Sequence, residues 1–172
     1  MKIKFWLCYI FFVSMCCHAN EVTDTDAKKI IEVFKRDKGL SLILGEAEDA
    51  VQFLQASNFF VHLLVNKEPQ VHTSRSIIDA KKLSHRISVV LNDNGNRLPY
   101  ADNLINILIV TELKDNPYSL QEALRIMAPR GVIFVSRNNI ELLKDSSALG
   151  LEFTASGNWV YATKSVPKSF DN

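Results

Sequence analysis

The sequence has 172 residues, 47% of them hydrophobic, which is enough for one globular domain with a substantial core. Its 20 basic and 19 acidic side chains give a formal net charge of +1, which excludes the strongly basic chain typical of nucleic-acid-binding proteins. The sequence contains no internal repeat and no low-complexity tract, which excludes a solenoid or a long flexible linker.

The first 19 residues have the features of a signal peptide. Lys2 and Lys4 supply a basic start, residues 5–13 form an apolar run, and small side chains precede a cleavage position after Ala19. The apolar run is short for a membrane span. Lipid attachment at Cys16 and an uncleaved anchor are the alternatives to cleavage. We predict an exported protein, periplasmic or secreted, with no stable membrane span after cleavage.

The three cysteines, Cys8, Cys16 and Cys17, all lie in this leader, so the mature chain would contain neither disulfide nor thiol. An exported protein does not need disulfides, so this does not contradict export. Loss of Lys2 and Lys4 leaves 18 basic and 19 acidic side chains, a net charge of −1, in 153 residues. That balance favours neither nucleic acid nor an anionic membrane as a partner.

The mature chain alternates apolar strands with amphipathic helices. A helix reaching about residue 36, with Thr23, Asp24 or Thr25 as its cap, forms most of an N-terminal segment at 20–36. A domain is predicted at 37–164, followed by a tail at 165–172. The first half of the domain is expected to hold strands at 40–44, 59–65 and 87–91 and helices at 49–57 and 69–83.

The second half continues this alternation after a loop rich in turn residues at 92–100. Residues 128–131, Ala-Pro-Arg-Gly, are expected to end a helix. The predicted elements are strands at 104–110 and 132–135, helices at 117–127 and 139–149, and a hairpin at 151–155 and 159–163. This order predicts an α/β fold with a doubly wound, mostly parallel sheet of about seven strands and an antiparallel C-terminal hairpin.

The stretch 39–51 is the point around which the other elements are arranged. Residues 40–44 include one polar side chain and no charge, as expected for a strand covered on both faces. Gly45 then breaks the run, and acidic residues follow where the positive end of a helix dipole would favour them. A strand, a glycine loop and a helix in this order form the place where nucleotide-type cofactors dock in doubly wound folds.

Two segments resemble class I S-adenosylmethionine-dependent methyltransferases. Residues 97–110, with Leu98-Pro99-Tyr100 ahead of an apolar strand, are similar to the region before and through the fourth strand of that family. Residues 122–132 are similar to its next helix, turn and fifth strand. The resemblance covers 37–164 and implies the Rossmann-like methyltransferase fold, S-adenosylmethionine as cofactor and transferase activity.

The resemblance is closest to an exported subgroup in which a methyltransferase-like domain precedes a β-propeller of the pyrroloquinoline-quinone-binding type. Residues 98–103 and the segment 159–171 carry this likeness. The sequence stops where the propeller would begin. The resemblance therefore implies a separate β-propeller-type protein as a partner, or a relic of a longer protein, and it leaves the oligomeric state open.

The family has three alternating glycines after its first strand, and the aligned positions here hold Gly45, Ala47 and Asp49. The resemblance implies cofactor contacts from Gly45, Glu46 and Ala47. Asp49 places a carboxylate where a third glycine would let the backbone approach the ligand. From its position alone, Asp49 is expected to cap the following helix.

For the ribose of the cofactor, the resemblance implies an acidic residue at the end of the second strand, where Asn66 stands. An amide accepts one hydrogen bond from a diol but cannot form the charged bidentate pair. Asp93 and Asn94 follow the third strand, where the family often has an acid near the adenine. A solvated turn explains these two residues equally well.

A general base would come from the loops after strands four and five in this family. Glu112 is the weak candidate here, with Asp115 and Tyr118 as alternatives, and an exposed loop charge is the simpler explanation of Glu112. No metal site is predicted, because the histidines lack the spacing of a ligand set and the turn at 92–95 lacks the later glutamate of a calcium loop.

Two hypotheses about function follow. The first is an S-adenosylmethionine-dependent methyltransferase of unknown substrate with a partly degenerate cofactor site. The second is a non-catalytic exported module that keeps the fold as a scaffold or interaction surface. S-adenosylmethionine is made in the cytosol, so an exported enzyme would lack an obvious supply of it. A nicotinamide-binding domain is weaker, because the loop lacks the glycines that such a cofactor requires.

Overall fold

The computed structural model describes residues 21–93, 95–112, 118–144, 146 and 149–166. Seven strands in this part of the chain form one sheet in the order β3-β2-β1-β4-β5-β7-β6. β1 to β5 pair in parallel, β7 pairs antiparallel with β5, and β6 pairs antiparallel with β7. The strands are β1 (Leu40–Leu44), β2 (Phe60–Val65), β3 (Ile87–Leu91), β4 (Ile105–Val110), β5 (Met127–Ser136), β6 (Thr154–Ser156) and β7 (Trp159–Thr163). The predicted fold class is confirmed.

Four α-helices and one 3₁₀ helix cover the sheet: α1 (Asp24–Phe34), α2 (Ala47–Gln55), α3 (Glu68–Ala80), α4 (Leu120–Ile126) and the 3₁₀ helix (Arg137–Leu143). Thr23 is the N-cap of α1, and its hydroxyl accepts a hydrogen bond from the Asp26 amide while the Asp26 carboxylate accepts one from the Thr23 amide. No helix in the described ranges combines the length and the apolar character that a membrane crossing requires.

Side chains that alternate along the central strands build two cores, one on each face of the sheet. On the first face, Ile43 and Phe134 pack with Phe53 and Phe59 under α1, α2 and α3. On the second face, Leu42 packs in a separate core that also contains the apolar side chains of α4. Because both faces are buried, the central strands are apolar at nearly every position, as parallel strands in doubly wound sheets are.

The helix α4 ends at Ile126, just before residues 128–131 and within one residue of the predicted end. The interpretation of these four residues as a separate turn is wrong, because they belong to β5. They form an irregularity in the pairing with β4, because Ile105 pairs with Met127 whereas Ile107 pairs with Val132. Arg130 adopts a positive φ of 63° at this bulge, which permits the extra residues to leave the ladder and the strand to continue.

The predicted helix at 139–149 is also wrong in type and extent, because a 3₁₀ helix stands at Arg137–Leu143. Its backbone departs from helical geometry at Asn139, with φ −110° and ψ 21°. The Asn139 side chain donates a hydrogen bond to the Thr111 carbonyl at 2.7 Å, so it is tied to the end of β4. β5 begins five residues before its predicted start, and the remaining predicted elements lie within about three residues of their positions in the structure.

The Leu98-Pro99-Tyr100 segment is held against α4 by one arginine. The Arg125 guanidinium donates hydrogen bonds to the carbonyls of Leu98 at 3.1 Å and Tyr100 at 2.8 Å, and to the Asp102 carboxylate at 2.6 Å. Glu122 accepts from the Leu98 amide at 2.8 Å and from the same guanidinium at 2.7 Å. These contacts fix the loop ahead of β4 against α4, where Leu98 and Tyr100 pack in the second core.

Candidate functional site

The strand order reverses between β1 and β4, because β2 and β3 lie on one side of β1 while β4 and β5 lie on the other. In open α/β sheets, ligands bind in the crevice outside the carboxyl ends of the strands at such a reversal. We call this part of the molecule the carboxyl edge. The residues that follow the four strands there are Gly45 and Glu46 after β1, Asn66 after β2, Asn92 after β3, and Thr111 and Glu112 after β4.

The Asp49 side chain is buried, with 2% exposure, beneath the loop that follows β1. One carboxylate oxygen accepts a hydrogen bond from the Val22 amide at 2.8 Å. The other accepts from the Glu46 amide at 3.0 Å and from the Thr111 hydroxyl at 2.6 Å. Burial raises the pKa of Asp49, and these hydrogen bonds oppose that shift. Asp49 takes part in capping α2, as predicted, but from the third helical position: Glu46 is the N-cap residue, and the two form a reciprocal capping box.

Gly45 is required by this arrangement for reasons of space. A Cβ atom at position 45 would lie 1.8 Å from the Thr111 hydroxyl oxygen and 2.5 Å from the Asp49 carboxylate. Both distances are far below van der Waals contact, so no other residue fits without rearrangement. The glycine that matches the family pattern is therefore explained by internal packing. The sequence analysis did not identify Thr111 as a site residue. The feature that could have indicated it is a small polar side chain directly after a buried strand.

The other two predicted loop residues face different surroundings. Ala47 is 1% exposed and packs in the first core. Glu46 is exposed at the edge, and its pKa is raised first by burial of part of the side chain and then by the negative charges of Glu112, Glu48 and Asp49. The structure therefore brings the candidate base Glu112 close to Glu46, and together they make this rim of the crevice acidic.

Asn66 lies at the end of β2, as the sequence predicted, and Tyr118 connects it to the end of β3. The Tyr118 hydroxyl lies 3.4 Å from the Asn66 side-chain oxygen and accepts a hydrogen bond from the Asn92 amide. Burial raises the pKa of Tyr118, and the hydrogen bond from Asn92 opposes that shift. Sequence reasoning missed Asn92, whose position directly after a strand was the available signal.

Asp93 is exposed in the loop after β3, while the predicted site residue Asn94 and the alternative base Asp115 lie outside the described residues.

His62, on the second face of β2, has a buried Nδ1 with no hydrogen-bond partner in the described part of the chain, and burial lowers its pKa. Its ring lies 5.7 Å from that of Tyr100. Within the same residues, no three or more histidine, cysteine, aspartate or glutamate side chains gather as metal ligands do.

No protein-family model and no curated protein matches the chain. Solved structures do match its fold. A putative S-adenosylmethionine-dependent methyltransferase from Methanococcus maripaludis gives a TM-score of 0.65 at 14% identity over 86% of this chain and 87% of that one. A predicted O-methyltransferase from Agrobacterium tumefaciens gives 0.61 at 18% identity, with 81% of each chain covered. The [4+2]-cyclase SpnF gives 0.61 at 19% identity over 77% of this chain and 59% of that one. The chain therefore has the class I methyltransferase fold.

Proposed function

We propose that this protein binds S-adenosylmethionine at the carboxyl edge and acts as a methyltransferase whose substrate is not assigned. The observation that carries the proposal is the placement of Glu46, Asn66 and Asn92 after three adjacent parallel strands, beside the strand-order reversal of a methyltransferase fold. In doubly wound sheets, polar groups at these ends are the ones that meet a nucleoside ligand.

The charge of the crevice suits this cofactor. S-adenosylmethionine carries a positive sulfonium and an ammonium group, and it supplies an electrophilic methyl group when bound. Glu46, Glu48 and Glu112 place negative charge at the rim, which attracts a cation. The Asn66 oxygen offers one acceptor for a ribose hydroxyl. Glu112, which follows Thr111 at the end of β4, would accept a proton from an attacking group on the substrate.

The residues also differ from a full cofactor site in two respects. The Asn66 amide replaces a carboxylate, and a hydrogen bond to a charged group is worth about 1 kcal/mol more than one to a neutral group. The Asp49 carboxylate occupies space beside Gly45. We therefore expect weaker binding than in an enzyme with an acidic residue at position 66, by roughly fivefold for the missing charge alone.

The alternative is a non-catalytic exported module that uses the fold as a scaffold. The specific observation in its favour is the 2.6 Å hydrogen bond between Thr111 and Asp49, which closes the space between the ends of β1 and β4. A fold alone does not determine activity. Titration with the cofactor separates the two functions.

Isothermal titration of the purified protein with S-adenosylhomocysteine and S-adenosylmethionine tests the proposal. We expect a dissociation constant of roughly 100 µM or tighter, which corresponds to about −5.5 kcal/mol. Asn66→Ala should weaken binding, because it removes the acceptor at the end of β2. Glu46→Gln should weaken S-adenosylmethionine more than the uncharged thioether of S-adenosylhomocysteine, because it removes rim charge.

The control is Glu32→Gln, which removes an exposed carboxylate on α1 and should leave both affinities unchanged. Binding in the millimolar range or absent in the wild type would contradict the methyltransferase proposal and leave the module as the function. Micromolar binding that Asn66→Ala does not affect would place the ligand elsewhere and contradict the assigned site.

We further propose that the protein is exported after cleavage near Ala19 and that a separate β-propeller-type protein is its partner. The basic start and the apolar run at 5–13 support the first part, and the likeness of residues 98–103 and 159–171 to the exported subgroup supports the second. Mass spectrometry of the protein from a periplasmic or secreted fraction should show a chain that begins at Asn20. An intact mass that includes Met1 would contradict cleavage.

A further inference from the structure

Three separate segments donate hydrogen bonds to the Asp49 carboxylate. Val22 precedes α1 and is 1% exposed, Glu46 precedes α2, and Thr111 follows β4. Val22 and Thr111 lie 27 and 62 positions from Asp49 along the chain. The carboxylate therefore joins parts of the fold that no local capping interaction would bring together.

The first helix of the protein provides an internal comparison. Asp26 occupies the same third helical position in the capping box of α1 that Asp49 occupies in α2. Asp26 is only half-buried, and the hydrogen bonds to its carboxylate come from the amide and hydroxyl of its own cap residue, Thr23, at 3.0 and 2.6 Å. Capping a helix therefore needs local contacts only. The long-range contacts of Asp49 serve something more than the start of α2.

Two amides and one hydroxyl form a donor set that matches the two oxygens of a carboxylate. Such a set is stable in a buried place only if an acceptor fills it. We propose that Val22, Glu46 and Thr111 form a carboxylate-binding site at the carboxyl edge, that Asp49 is its built-in ligand, and that this contact holds the segment before α1 against the loop after β1. The contact closes the space beside Gly45 and so blocks part of the crevice from within.

The proposal goes beyond cofactor binding, and a free carboxylate tests it without any cofactor. Asp49→Ala removes a group of the size of formate, whereas Asp49→Gly also removes the methylene and leaves room for acetate. We expect the thermal midpoint of Asp49→Ala to be about 2–4 °C higher in formate than in sodium chloride at equal ionic strength. We expect the same difference for Asp49→Gly in acetate. The rise should saturate with concentration, as occupation of a site does.

Two controls make the result specific. Asp26→Ala, at the matching half-buried position of α1, should lose the capping box of α1, and formate should raise its midpoint no more than chloride does. Asp49→Asn keeps the shape of the side chain but presents an amide to the donors, so it should lower the midpoint and show no response to formate. If Asp49→Ala does not fold in buffer alone, its refolding yield should rise with formate and not with chloride.

A response of Asp49→Ala to formate that equals its response to chloride would overturn the proposal. An Asp49→Asn midpoint equal to that of the wild type would also overturn it, because a carboxylate would then not be required. Since the readout contains no S-adenosylmethionine, failure of this proposal and failure of the cofactor proposal give different results.

Discussion

Gly45→Ala should lower the free energy of unfolding by about 3 kcal/mol. The added methyl group would lie 1.8 Å from the Thr111 hydroxyl oxygen and 2.5 Å from the Asp49 carboxylate, so both side chains would have to move. Overpacking of a dense core costs typically 1–3 kcal/mol, and loss of a buried hydrogen bond adds about 1–3 kcal/mol. Urea denaturation followed by circular dichroism measures the change.

Thr111→Ala distinguishes steric crowding at position 45 from other effects of the Gly45→Ala substitution. In a Thr111→Ala background the hydroxyl is gone and the Asp49 side chain is released on that side, so the cost of Gly45→Ala should fall by at least half. Contacting residues couple in this way in double-mutant cycles, whereas distant residues give additive costs. Additive costs, or a Gly45→Ala cost below about 0.5 kcal/mol, would show that the space beside Gly45 is open.

Phe59→Ala should cost about 3–5 kcal/mol, the range for removal of a fully buried aromatic side chain. Phe59 is 0% exposed, and its ring lies 5.8 Å from that of Phe34 and 5.5 Å from that of Phe53 in tilted arrangements. The substitution would leave a cavity among α1, α2 and the start of β2. Chemical denaturation gives the free energy of unfolding of this variant.

The neighbouring residue is the matched control. Phe60 belongs to the other face of the sheet and is 61% exposed, so Phe60→Ala should change stability by no more than about 0.5 kcal/mol. A one-residue shift of strand register would exchange the two side chains between faces. Equal costs for the two variants, or the reverse order, would therefore contradict the register of β2 with β1.

The fold could be predicted because alternating apolar strands and amphipathic helices leave few topologies for an open parallel sheet. Successive strand residues point to opposite faces, so Phe59 and Phe60 were expected on different faces. The pattern could not show which of the two is buried, because both are apolar. Residues 128–131 were predicted to end a helix because proline and glycine usually do so. Here they form a bulge, whose position depends on pairing with β4 and not on local sequence.

The candidate site was predictable where it depends on strand ends. Asn66 stands at the end of β2 and Asp49 takes part in capping α2, and both follow from position in the strand–loop–helix order. The hydrogen bonds from Val22 and Thr111 to Asp49 could not be predicted, because they join residues far apart in sequence. The same holds for Tyr118, whose hydroxyl lies between the ends of β2 and β3 although its backbone precedes α4.

Titration of wild-type protein and of Asp49→Gly with S-adenosylhomocysteine tests the central claim most directly. If the carboxyl edge is a cofactor crevice that Asp49 partly fills, the glycine variant should bind at least tenfold more tightly than the wild type, a difference of about 1.4 kcal/mol. Thermal midpoints measured beside the titration establish that the variant is folded. Equal or weaker binding by folded Asp49→Gly would show that Asp49 does not obstruct a cofactor at this edge.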